Sequence, residues 1–209
     1  MADLVTQPGE ACLAPTEPRS FYDRPTLDVA RDLIGKTLAR RSGEGVTAGI
    51  IVEAEAYVSA IDPSAHGYGG LTQRTRSMFG PPGHAYVYVS YGMHCCLNVV
   101  TEGEGSAAAV LIRALEPTAG LELMRVRRGL RIADRDLCRG PGRLCQALGI
   151  TLADDGADLL GPDLWIAETP VLPADTPIAT SPRIGISRAA DWPWRFYIPG
   201  SRFVSGRPA

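Results

Sequence analysis

Tyr86-Val-Tyr-Val-Ser90, Tyr91-Gly92-Met93 and His94-Cys-Cys-Leu-Asn-Val-Val-Thr101 follow one another without interruption. Two segments rich in Tyr, Val and other strand formers flank a short Tyr-Gly-Met link. The run therefore reads as a β-hairpin with its tip at Tyr91-Gly92. Side chains alternate along a strand, so Tyr86 and Tyr88 share one face. On the returning arm, Asn98 lies between Leu97 and Val99, which would face the opposite side of the sheet. Tyr91 falls at the turn, where its ring would stand exposed.

Similar signals recur on both sides of this hairpin. Residues 36–41 and 47–57 read as strands joined by the turn Ser42-Gly43-Glu44-Gly45. Before them, a helical pattern from Pro25 through Leu33-Ile34 stops at Gly35. Residues 62–82 form a polar, glycine-bearing loop that holds His66 and Arg74-Thr75-Arg76. Gly103-Glu104-Gly105 turns the chain into an apolar strand over 107–114, and helices are expected over 121–128 and 143–148. Gly140-Pro141-Gly142 announces the second helix and Gly149 closes it. Later strands are expected at 164–167, 184–187, 196–198 and 203–205. Strands predominate and helices are inserted between them, which predicts a single α+β domain built around an antiparallel sheet. Residues 1–20 lack periodicity and read as a flexible leader, leaving 21–209 as the domain.

The chain has 209 residues, 45% of them hydrophobic and 21% charged, enough for one sizeable core. A net charge of −2 gives no support for nucleic-acid binding, but the distribution does. Residues 124–143 carry seven arginines against Asp134 and Asp136, and 182–209 carry five against Asp191. Such clusters can hold phosphate; a solvated helix face accounts for them equally well. Five cysteines without a Cys-x-x-Cys indicate neither a disulfide framework nor a zinc site. There is no signal-peptide pattern and no apolar stretch of membrane-spanning length, so a soluble cytoplasmic protein is expected.

Glu55 lies in the run Ile50-Ile51-Val52-Glu53-Ala54-Glu55-Ala56-Tyr57. Strand alternation would put Glu53, Glu55 and Tyr57 on one face and Ile50, Val52 and Ala54 on the other. Such a face is usually solvated, but this one carries a tyrosine and leads towards His66. A partly desolvated carboxylate there would serve as a general base. His66, His84 and His94 are not at metal-ligand spacing, and no metal or cofactor is expected. An exposed Tyr91 ring at a hairpin tip suits a wedge pushed between base pairs through the minor groove.

Several blocks together resemble one family. They are Glu53-Ala-Glu55-Ala-Tyr57, Ala65-His66, Arg74-Thr-Arg76-Ser-Met78-Phe79, Pro82-Gly83-x-x-Tyr86-Val-Tyr88-x-x-Tyr91-Gly92-Met93, Leu97-Asn98-Val99, Val110-Leu-Ile-Arg113-Ala-Leu-Glu116-Pro117, Gly140-Pro141-x-x-Leu144-Cys145-Gln146-Ala147-Leu148 and Arg195-Phe196-Tyr197-x-x-Gly200-Ser201. In this order and spacing, the chain from about residue 21 to residue 205 resembles the alkyladenine (3-methyladenine, methylpurine) DNA glycosylases.

The resemblance implies a mixed α/β domain with a curved antiparallel sheet and a protruding β-hairpin. It also implies a metal-free hydrolysis of the bond between a damaged purine and its sugar in duplex DNA. Glu55 matches the general base. Arg113 matches a partner that positions the attacking water, together with the backbone carbonyl of Ile184. Tyr57, His66 and Tyr88 match the walls that stack on the flipped base, and Asn98 the residue that crowds the amino group of guanine. Tyr91, with Gly92 and Met93, matches the gap-filling tip; Arg74, Arg76, Gly142 and Arg143 complete the expected DNA contacts. His94 and Leu71 depart from the family pattern.

Extruding a base costs roughly a few kcal/mol, and stacking on aromatic rings returns on the order of 1–3 kcal/mol. A cationic purine gains roughly 0.5–2 kcal/mol more from π faces. The only lysine, Lys36, lies away from these motifs, so a monofunctional enzyme without strand cleavage is expected. It would act as a monomer in base excision repair, in the cytoplasm and at the nucleoid if bacterial. The competing readings are a non-catalytic nucleic-acid-binding module of the same fold and a small-molecule nucleoside hydrolase. The second would need neither an exposed Tyr91 nor an arginine cluster.

Overall fold

Strand β2 (Gly45–Val58), 14 residues long, organises the sheet by serving three partners. Strand β5 (Ala108–Ala119) runs along one of its edges, from the pair Ala48↔Ala119 to the pair Val58↔Ala108. The other edge is divided. Strand β1 (Thr37–Ser42) covers it as far as Ile50, and β8 (Arg195–Tyr197) takes over from Glu53 to Glu55. Register shifts at Ile51/Glu53 and Glu53/Ala54 mark the handover. Irregularities of this kind bend and twist a strand, and the sheet curls here into half a barrel. Strands β3 (Ala85–Ser90), β4 (His94–Thr101), β6 (Leu164–Ala167) and β7 (Ala179–Ser181) complete it. The order is β3-β4-β5-β2-β1-β6, with β8 bridging β2 and β7, and every pairing is antiparallel.

One face of the sheet carries the main core. Helix α2 (Thr26–Leu33) contributes Val29, Ala30 and Leu33, one stripe at helical spacing. Helix α5 (Pro141–Leu148) contributes Leu144, Cys145, Ala147 and Leu148 against Leu97, Val99, Val110 and Ile112. The helices α1 (Arg19–Tyr22), α3 (Leu121–Arg128) and α4 (Asp134–Leu137) flank them. Burying a large aliphatic side chain is worth about 1.5–3 kcal/mol, so this face holds the sheet in place. The opposite face carries a smaller cluster around Met78, Tyr86, Val100 and Ala109, with Tyr57 and Tyr88 partly buried against it. It is an α+β domain, as the strand-dominated pattern implies.

The structure, a computed structural model, describes residues 17–168, 173 and 175–206. Most of the expected leader therefore lies outside the described residues. Its expected end at residue 20 falls inside α1; Glu17 pairs with Lys36 at 2.6 Å and Arg19 with Asp158 at 2.8 Å. The expected strands at 184–187 and 203–205 are absent, because their backbone donors are used elsewhere. The Ile184 N–H goes to Glu55 and the Ser205 N–H to Glu53. Simple alternation fails along β2 as well. Ile50 and Val52 pack with Ala114 and Phe203, whereas Ala54 lies in the main core, because the register shift intervenes. No helix among the described residues is long and apolar enough to cross a membrane.

Candidate active site

A cavity of about 490 Å³ opens on the sheet face opposite the main core. That volume lies within the usual range for small-molecule sites. Tyr57, His66, Tyr88, Asn98, Arg113 and Ile184 all line it, so the expected pocket residues converge. Glu55 is placed differently. It is fully buried directly behind this wall, and the three groups that bond to it are themselves wall residues.

The two carboxylates of β2 occupy contrasting positions. Glu55 Oε2 accepts from the Tyr57 hydroxyl at 2.9 Å and from Arg113 Nη1 at 3.1 Å, while Oε1 accepts the Ile184 N–H at 2.7 Å. Glu53 Oε1 accepts from Arg113 Nε at 3.0 Å, Arg195 Nε at 2.7 Å and Ser205 Oγ at 3.0 Å. Its Oε2 takes the Ser205 N–H. A carboxylate offers about four acceptor positions. Among the described residues, Glu53 accepts four hydrogen bonds, three of them on Oε1, and Glu55 accepts three, one of them on Oε1. Only Glu55 is held entirely by residues that line the cavity, and its Oε1, with one donor, can still accept a proton from a fourth party such as water. Burial works against the charge of Arg113, but Glu55 and Glu53 outweigh it and raise its pKa above the ordinary guanidinium value. It stays cationic at any working pH.

The rings form a second layer. Tyr86 and Tyr88 stack at 5.5 Å between centroids, and His66 stands edge-on to Tyr88 at 4.5 Å. The Tyr86 hydroxyl lies 2.9 Å from His66 Nδ1. Burial, helped by the charge of Arg74, lowers the His66 pKa and keeps its ring neutral. Burial likewise pushes Tyr86 up to about 12 and raises Tyr88 further. Tyr57 is raised by burial and then by the adjoining Glu55 charge, so its hydroxyl remains a donor. Asn98 faces the cavity with its Nδ2 donating to the Tyr86 carbonyl at 3.0 Å.

Tyr91 is 90% exposed at the hairpin tip and Met93 75%. Tyr91 and Gly92 both have positive φ, 50° and 73°, and the Met93 N–H closes the turn on Ser90 at 3.2 Å. Such a turn matches the twist of the flanking strands, and Gly92 adopts it without strain whereas Tyr91 does not. Arg74 lines the cavity with its guanidinium 5.3 Å from the Tyr88 ring centre. Arg76 and Arg143 are exposed and lie outside the cavity lining. Gly142 has a packing reason of its own: a Cβ there would come 2.9 Å from the Cβ of His94.

The arginine clusters are mostly committed inside the molecule. Arg125 pairs with Asp134 at 2.6 Å, Arg127 with Glu44 at 2.7 Å, and Arg139 bonds the Val204 carbonyl at 2.8 Å. Arg128 holds the Leu137 carbonyl at 2.9 Å. These four brace α3, α4 and the segment around residue 204 rather than offering phosphate sites. Arg183 and Arg195 of the second cluster are buried. Arg183 pairs with Asp62, lies 4.5 Å from the Tyr57 ring centre and donates to the Ala56 carbonyl at 2.9 Å. It thereby fixes the chain just before Ile184. Sequence reasoning missed Asp62, Arg183, Arg195 and Ser205, each of which has a partner more than a hundred residues away. Glu53 was visible only as a neighbour of Glu55. Among the described residues no group of three or more His, Cys, Asp or Glu side chains is placed to hold a metal ion.

The family description "Methylpurine-DNA glycosylase (MPG)" matches residues 20–202. A protein of Rhodopseudomonas palustris strain HaA2 named "Putative 3-methyladenine DNA glycosylase" is 55% identical over 205 residues, covering 98% of each chain. Proteins with the same name are 54% identical in Burkholderia lata, over 90% of each chain, and 52% identical in Methanoculleus marisnigri. The Methanoculleus match covers 92% of this chain and 100% of that protein. With the curled sheet and its cavity, these similarities define the chain as a DNA glycosylase, a DNA-repair hydrolase of N-glycosyl bonds. More closely, it belongs to the methylpurine-DNA glycosylase family, in which base flipping is general.

Proposed function

We propose that the enzyme excises alkylated and deaminated purines from duplex DNA by a monofunctional, metal-free hydrolysis. 3-Methyladenine, the base in its relatives' names, leads the proposed substrates. 7-Methylguanine, hypoxanthine and ethenoadenine follow. The flipped base sits between Tyr57 on one side and His66 with Tyr88 on the other, and Tyr91 fills the gap left in the duplex. Met93, Gly92, Arg74, Arg76, Gly142 and Arg143 supply DNA contacts around that point. Asn98 crowds C2 of the purine and excludes guanine. Water attacks the sugar C1′, the electron pair of the glycosidic bond leaves with the base, and Glu55 takes the water's proton. Arg113 and Ile184 hold Glu55 and the water in register. The protein works as a monomer in the cytoplasm and, if bacterial, at the nucleoid.

The observation that carries this reading is the open acceptor position on Glu55, a buried carboxylate bonded to three groups of which each lines the ring-walled cavity. General-base catalysis contributes about 10²–10⁴-fold. Glu55→Gln keeps the shape but cannot take the proton, so single-turnover release of 3-methyladenine should fall at least about 10²-fold with lesion-DNA affinity kept. Excision by the variant at the wild-type rate would remove Glu55 from the reaction.

A further inference from the structure

Arg113 stands between two carboxylates, with its Nε on Glu53 and its Nη1 on Glu55. Arg195 engages the same Glu53 oxygen from the far side at 2.7 Å. Two negative and two positive charges therefore alternate in a row, Glu55–Arg113–Glu53–Arg195, and both carboxylates are fully buried. Glu53 is fully buried, and its partners Arg195 and Ser205 lie outside the cavity lining, so it affects the reaction through its neighbours.

We infer that Glu53 is a positioning residue that tunes Glu55: by drawing part of the Arg113 charge, with Arg195 balancing it, Glu53 leaves Glu55 basic enough to accept the water's proton. A guanidinium given wholly to one carboxylate favours its ionised form and weakens it as a base. A guanidinium shared between two does so less. Without Arg195, Glu53 would have Arg113 as its remaining cationic partner among the described residues and pull harder on it. The row thus has a direction in which each member sets the next. The inference rests on the proposed role of Glu55.

The groups facing Glu55 are few. From β2 comes the Tyr57 hydroxyl, from β5 the Arg113 guanidinium, and from the segment after β7 the Ile184 N–H. Behind them lie Glu53, Arg195, the Arg183–Asp62 pair against Tyr57, and Cys96 near Arg113. His66, on the opposite side of the cavity, bonds to Tyr86 and touches none of the groups to be replaced. Tyr57 and Cys96 have raised pKa values and do not titrate on the acid side.

The test is the pH profile of single-turnover release of methylated purines from methylated duplex DNA, with the enzyme-free rate subtracted. In Glu53→Gln, Arg113 belongs to Glu55 alone; the midpoint of the acid limb should fall by about one pH unit or more, and the plateau rate should drop. In Arg195→Gln the net charge of the row beside Glu55 falls from positive to zero, and the midpoint should rise. Arg195→Lys keeps the charge and should leave the midpoint in place. A midpoint is independent of a folded fraction that stays constant with pH, which circular dichroism of each variant over the same pH range checks. If Glu53→Gln does not fold, the sign of the Arg195→Gln shift decides. Lower rates with every midpoint at the wild-type value would reduce Glu53 to a structural tie and overturn the inference. Undiminished excision by Glu55→Gln would instead remove the base assignment beneath it, so the two failures are distinct.

Discussion

Replacing Tyr91 separates two costs that the hairpin tip combines. The residue holds φ at 50° and exposes 90% of its surface. Left-handed backbone at a residue with a Cβ costs about 1–2 kcal/mol. Glycine removes that cost but returns about 0.5–1 kcal/mol as chain entropy. Tyr91→Gly should therefore stabilise the free protein by a net ~0.5–1 kcal/mol, or about 1–4 °C for a chain of this size. Tyr91→Ala loses the ring but keeps the strain, and with so exposed a ring it should stay within about 0.5 kcal/mol of wild type. Both variants lose the ring that would occupy the gap in the duplex. Stacking of a base on an aromatic ring is worth on the order of 1–3 kcal/mol, so the flipped population should fall roughly 5–150-fold. Thermal unfolding reads the first effect, and fluorescence of ethenoadenine in duplex DNA reads the second. If both variants hold the base out as the wild type does, the tip is not a wedge. If Tyr91→Gly melts no higher than Tyr91→Ala, the strain argument is wrong.

Three further outcomes follow from particular contacts. Asn98→Ala removes a buried side-chain bond to the Tyr86 carbonyl, at a stability cost of about 0.5–1.5 kcal/mol. If Asn98 is the filter against guanine, release of guanine from mismatches should still rise relative to hypoxanthine; a uniform decline of both would leave it only the structural bond. Asp62→Asn breaks a pair whose two side chains are both fully buried. It should cost about 3–5 kcal/mol, and a melting point within a degree of wild type would contradict the pairing. His66 binds its proton less readily in the folded than in the unfolded chain, so its contribution is intact above its ordinary value of 6.5 and is lost as pH falls towards the lowered one. The stability advantage of wild type over His66→Gln, measured by urea unfolding, should therefore shrink between pH 7 and pH 5. An advantage that grows on acidification would reverse the assigned shift.

Local pattern was enough for much of the sheet. Alternation placed Tyr86 and Tyr88 together and set Asn98 apart from Leu97 and Val99, and the chain does pair Tyr86 with Asn98 directly. The strand over 164–167 and the helix over 121–128 emerged with the expected bounds. The failures share a cause. Backbone donors at Ile184 and Ser205 were read as belonging to strands, yet carboxylates 129 and 152 residues away claim them. No local spacing encodes such a claim. The register shift near Glu53 likewise exists because β2 changes partner from β1 to β8, a fact about topology rather than about residues 50–57. The arginines of α3 looked like a phosphate surface because charge is visible in sequence and Glu44, Gln146 and the carbonyls that engage them are not.

The bond from Ser205 to Glu53 also carries a consequence for the order of events during synthesis. Glu53 is translated 152 residues before Ser205, whose backbone N–H binds its Oε2. At roughly 5–20 residues per second, that interval lasts about 8–30 s. For the first 142 residues of it, Glu53 has neither Arg195 nor Ser205 as a partner, so the buried network around β2 stays incomplete. On the proposed roles, the tip that meets DNA is synthesised well before the last group of the network behind Glu55.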